Sequence, residues 1–163
     1  MWATRKHSGF TIVELLIVVV VIGILAAIVI VAYNGITSSA NDAAVKSDLA
    51  NIVKRLELQK VEDGSYPYPL TTAMDIHVTK SAYDDVNNLY YCYDSATDTY
   101  AVQVRSLSGN FFRVEDGVVL EGTGSSGYWA AGVCGILGIT WDGNTNGQFG
   151  YNATNDTWAS WVQ

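Results

Sequence analysis

The chain has 163 residues, 49% of them hydrophobic, and carries 9 Lys and Arg against 16 Asp and Glu for a net charge of −7. That length supports one modest domain beside any anchoring segment, and an acidic chain without a basic patch or stripe offers phosphates no electrostatic footprint, so direct nucleic-acid binding is not expected. His77 is the only histidine beyond residue 7, and no nucleophile, base or metal constellation emerges, which argues against an enzyme.

Residues 1–9 are polar and include Arg5 and Lys6, whereas Leu15 to Ala32 are all apolar or Gly. Eighteen helical residues reach about 27 Å, and Phe10, Ile12 and Val13 extend the apolar surface toward the ~30 Å of a bilayer core. A cleaved secretory signal needs a shorter run and a polar mature start, but Ala26-Ala27 leads into more Ile and Val. The basic residues before the span place the N-terminus in the cytoplasm and the rest of the chain outside. Glu14 is a lone carboxylate at the mouth of this segment. A charge inside hydrocarbon costs about 2.5 to 3.5 kcal/mol on insertion scales, so it needs a partner.

The run Gly9-Phe10-Thr11-Ile12-Val13-Glu14-Leu15-Leu16-Ile17-Val18 resembles the class III leader junction of type IV prepilins and pseudopilins. The resemblance implies that a prepilin peptidase cuts between Gly9 and Phe10 and methylates the new amine. It also implies that Glu14 neutralises the N-terminal amine of a neighbouring subunit during assembly. Many family members carry Pro near the position of Val31, marking a stretch that melts in filaments. Here Gly23 is present but the Pro is not, and Val favours an unbroken helix.

Beyond the span, Val45, Leu49, Ile52 and Leu56 recur at helical spacing with Val53 beside them, which predicts an amphipathic helix. Asn34-Gly35 is a candidate bend. Asp63-Gly64-Ser65-Tyr66-Pro67 supplies the stop, and the same five residues are similar to a motif common among pseudopilins. The expected division is leader 1–9, transmembrane or filament-core helix 10–33, amphipathic helix 34–62 and a β-rich extracellular domain 63–163. Leu89–Tyr93, Thr99–Arg105, Phe111–Val114 and Val118–Leu120 read as strands separated by turn-forming clusters. They predict an antiparallel meander packed on the helix stripe, an α+β fold of the type IV pilin kind.

The C-terminal third is expected to add strands or a long loop, after a flexible Gly122–Gly127 stretch. Trp129, Trp141, Trp158 and Trp161 read as staples to a small core, or else as a sticky surface for sugars or partners. Cys92 and Cys134 lie in the exported part, where an even count favours a disulfide; two buried thiols are the alternative. Asp142, Asn144 and Asn146 match the first half of a calcium loop, but Ala153 stands where the bidentate acid belongs, so a Gly/Asn-rich turn is the simpler reading. Some pseudopilins bind calcium; no other cofactor is implied. Asn152 and Asn155 begin glycosylation sequons.

What the resemblance implies is a structural subunit of an extracellular type IV pilus. It would be anchored in the membrane before assembly and would then pack helix to helix with identical or related subunits. Its other partners would be the prepilin peptidase, the inner-membrane assembly platform and membrane lipid. The alternatives are a pseudopilin of a type II secretion or competence system, and a ligand-binding minor pilin or adhesin. Without Arg5 and Lys6 the net charge becomes −9, which suits a soluble filament exterior.

Overall fold

The computed structural model describes residues 9–115, 117–122, 130–142 and 145–163. The basic residues Arg5 and Lys6, most of the Gly122–Gly127 stretch, Trp129 and Asn144 lie outside the described residues. Helix α1 (Ile12–Asp63) runs unbroken through Gly23, Val31 and Gly35. It ends where Gly64 takes a left-handed conformation (φ 82°) and donates its N–H to the Lys60 carbonyl at 2.8 Å. Glycine is the residue that reaches this conformation without a Cβ clash. The chain divides into two compact units, the first up to Thr37 and the second from Ser38.

In the second unit, six strands form one antiparallel sheet: β1 (Asn88–Asp94), β2 (Thr99–Arg105), β3 (Phe111–Glu115), β4 (Val118–Gly122), β5 (Gly147–Asn152) and β6 (Thr157–Trp158). Their order is β4-β3-β2-β1-β5-β6, so the predicted meander occupies one side and the C-terminal strands extend the other. The register pairs Tyr91 with Val102 and Val104 with Phe112. A short helix α2 (Ala130–Ile136), not anticipated from the sequence, precedes β5.

Side chains alternate across a strand, yet β1 and β2 are buried on nearly every residue because both faces of the sheet are covered. On one face Leu89, Tyr91, Val102, Val104, Phe112 and Val114 join Val45, Leu49, Ile52 and Leu56 of α1 in the main core. On the other, Tyr90, Cys92, Ala101 and Phe111 pack with Val133 and Cys134 of α2. The tryptophans divide accordingly: Trp161 is buried, and Trp158 and Trp141 pack half-buried against the first and second core respectively.

Two polar side chains tie loops to this frame. Asp48, buried on α1, accepts hydrogen bonds from the Thr79 N–H at 2.7 Å and the Tyr83 hydroxyl at 3.2 Å. Asn88, fully buried, accepts from the Leu89 and Arg105 N–H groups through its Oδ1. Leu89 sits at φ 56°, a conformation costly for a branched side chain, and the Asn88 bonds hold it there.

Candidate assembly site and anchoring segment

Helix α1 begins with a reciprocal cap. Thr11 is the residue before the first helical position, and its Oγ1 accepts the Glu14 N–H at 3.2 Å. The Glu14 carboxylate reaches back to accept both the Thr11 N–H and the Thr11 hydroxyl, each at 2.8 Å. This is a capping box, in which two otherwise orphaned backbone donors are satisfied by the T-x-x-E spacing itself. The same spacing that marks Glu14 as a lone acid in the sequence therefore gives it a partner within its own first turn. That partner is neutral, and among the described residues the carboxylate has no ion pair.

Gly9 and Phe10 precede the helix, and Phe10 is 91% exposed. A Cβ placed on Gly9 would meet no atom within 4 Å. Nothing in the described structure demands glycine there. From Phe10 to Thr37 every residue is exposed, including an uninterrupted series of Leu, Ile and Val. The helix is long and apolar enough in this part to cross a membrane. So large an apolar surface in water is unfavourable at about 25 cal/mol per Å², and it needs lipid or protein to cover it.

A glycine and a phenylalanine ahead of a capped apolar helix, in a chain whose second unit is one antiparallel sheet packed on the rest of that helix, are the features of a pilin-like α+β protein. Residues 4–30 match the family model for the prokaryotic N-terminal methylation motif. The chain is 36% identical over 63 residues to the type II secretion system core protein G of Pseudomonas aeruginosa, covering 39% of this chain and 44% of that protein. It is 34% identical over 67 residues to the core protein G of Escherichia coli, covering 41% and 46%. It is 40% identical over 62 residues to the type IV wide pilus major component PilA4 of Thermus thermophilus, covering 38% and 47%. The chain thus spans less than half the length of these curated relatives. No solved structure matches.

The remaining sequence candidates fall in the sheet unit. Cys92 of β1 and Cys134 of α2 form a disulfide with a Cα separation of 5.3 Å, clipping the helix to the second face. Asp142 and Asn146 lie in one loop, where Asn146 Oδ1 accepts the Asp142 N–H at 2.6 Å and Asp142 Oδ2 accepts the Thr145 hydroxyl at 2.8 Å. Asn146 Nδ2 donates to the Thr140 carbonyl at 2.7 Å. These bonds build the turn from the polar atoms that a calcium ion would need. His77 is exposed and lies 2.9 Å from the Asp75 carboxylate.

A junction missed from the sequence centres on Asp98. Its Oδ1 accepts the Tyr66 N–H at 2.9 Å, and Oδ2 pairs with Lys60 at 3.2 Å. The Tyr66 amide, with Lys60 beside it, holds the Asp98 carboxyl below the usual carboxylate range. The contact binds the loop after α1 to the β1–β2 turn. Asp in a turn-forming cluster reads as local turn chemistry, so its long-range partner was hidden.

Proposed function

We propose that the chain is a structural subunit of an extracellular type IV pilus, made as a membrane-anchored precursor with a cytoplasmic N-terminus. A prepilin peptidase cuts it between Gly9 and Phe10 and methylates the Phe10 amine. The apolar part of α1 then leaves lipid for an equivalent environment made by the helices of neighbouring subunits, on an assembly platform in the inner membrane. Glu14 neutralises the amine of an adjacent subunit, which rewards addition in the correct axial register. The observation that carries this reading is the conjunction at residues 9–14. Glycine stands where the described structure has no use for it, and a charged acid stands at the start of the exposed apolar part of α1. A glycine not required internally is explained by an external requirement, here access to the scissile bond.

A pseudopilin reading is favoured by one feature, the Asp63–Pro67 loop, together with the likeness to core protein G of type II secretion systems. Purifying sheared surface filaments and weighing their main subunit separates the two. The expected mass begins at Phe10 with one added methyl group, and Gly9→Val leaves uncut precursor in the membrane. Filaments whose subunits retain Arg5 and Lys6 refute the processing step, and the absence of this chain from surface filaments refutes the pilus role.

A further inference from the structure

Within the sheet unit, two clefts flank α1 and carry opposite charge. On one flank Lys54, Arg55 and His77 border a cleft of about 390 Å³ floored by Ile52 and Ile76, with Leu58 49% exposed at its edge. Among the described residues Asp75 is the only carboxylate lining it, and both its oxygens are engaged, by Arg55 at 2.8 Å and His77 at 2.9 Å. Lys54 has neither an ion pair nor a hydrogen bond among the described residues. On the other flank Glu57 and Glu115 border a cleft of about 620 Å³ with Tyr66, Tyr100, Ile136 and Leu137; Glu115 is ion-paired with Arg113, so Glu57 carries the uncompensated charge there. Glu57 accepts the Tyr66 hydroxyl at 2.8 Å and has no ion pair among the described residues. Arg55 and Glu57 are separated by about 200° around the helix, whereas Lys54 and Glu57, three residues apart, are separated by only about 60°, so a contact within one chain has to be distinguished from one between copies.

We propose that the basic cleft of one copy docks against the acidic cleft of a second copy of this chain. Copies with a net charge of −7, or −9 without Arg5 and Lys6, repel one another at long range. Close packing therefore depends on local contacts of opposite sign. Both clefts also offer apolar surface, Leu58 on one and Ile136 with Leu137 on the other, so the charges would surround a desolvated centre. Because the two surfaces differ, the contact is head to tail and propagates from copy to copy. This inference rests on the filament reading above and specifies which surfaces of the sheet units meet.

The test uses the full chain in cells, with subunit level and Gly9 cleavage checked in every strain. Lys54→Glu and Glu57→Lys are each expected to reduce sheared filaments at least about five-fold and to make the remainder more sensitive to salt. Producing the two variants together should restore filaments to more than about half the wild-type amount, because each then supplies the charge the other lacks. Residues 54 and 57 are also neighbours on one helix, and loss of a pair within one chain would not be rescued in trans. Wild-type filament amounts in both single variants overturn the contact while leaving the filament reading intact. Loss in both without rescue likewise overturns it. Absence of filaments from the wild-type strain overturns the filament reading and this inference together.

Discussion

Glu14 is placed to do two jobs, and a three-variant series separates them. As the fourth residue of the capping box it satisfies the Thr11 N–H at 2.8 Å, and as an anion it is the proposed counter-charge for a neighbour's amine. Thr11→Ala removes the cap and keeps the charge, Glu14→Gln keeps the box spacing and removes the charge, and Glu14→Ala removes both. Loss of an N-cap costs about 1 kcal/mol, which changes an assembly equilibrium by less than about tenfold. A carboxylate and an ammonium 4 Å apart at an effective dielectric of about 20 attract by about 4 kcal/mol, close to a thousandfold. The expected order of filament yield is therefore wild type, then Thr11→Ala, then Glu14→Gln and Glu14→Ala at similarly low levels. Electron microscopy and immunoblots of sheared filaments, at matched levels of processed subunit, supply the measurement. If Glu14→Gln assembles like wild type, the carboxylate acts only as a helix cap and the electrostatic role is wrong.

Two further outcomes concern the sheet unit, measured on a fragment beginning at Ser38. The disulfide closes a sequence separation of 42 residues, for which the chain-entropy relation gives about 4 kcal/mol, so reduction should lower denaturant stability by about 2 to 4 kcal/mol; an unchanged midpoint in reductant refutes this. Asp98 has a folded-state carboxyl held below its unfolded value by the Tyr66 amide and Lys60. Its stabilising contribution is present above the unfolded value near 3.9 and is lost as pH falls through the lower folded value. Asp98→Asn should accordingly flatten the acid limb of a stability-versus-pH curve below about pH 4, and an identical acid limb in the variant refutes the assignment.

The parts of this fold most legible in the sequence were those governed by period and punctuation. The stripe at Val45, Leu49, Ile52 and Leu56 states which face of α1 is inside, and Gly64 states where the helix stops. The first four strands follow from β-branched and aromatic runs bounded by turn residues. Helix α2 was not legible, because Ala-Ala-Gly-Val-Cys-Gly-Ile has two glycines and too few residues to show a period. Its existence depends on the sheet's second face and on Cys92, both remote in sequence. The capping box was hidden for a different reason. An acid at the mouth of an apolar run reads first as a charge in hydrocarbon, and that reading masks the T-x-x-E spacing that makes Thr11 its hydrogen-bond partner. Asp48 was equally obscure, since an acid between the stripe positions Val45 and Leu49 reads as solvent-facing until Thr79 and Tyr83 close over it.

A sheet covered on both sides restricts where the molecule can be altered without harm. Neither β1 nor β2 has an outward row of side chains, so a label, epitope or glycan placed on either would have to displace one core or the other. The turns are not equivalent. Asp42 locks the β2–β3 turn by accepting bonds from the Ser108 hydroxyl at 2.5 Å and the Asn110 amide at 2.8 Å. In the β1–β2 turn, Asp94 and Asp98 are committed to anchoring, but the side chains of Ser95 and Ala96 between them are exposed. Those two positions are where a cysteine for fluorophore coupling can be added with least disturbance, making the subunit visible without touching what folds it.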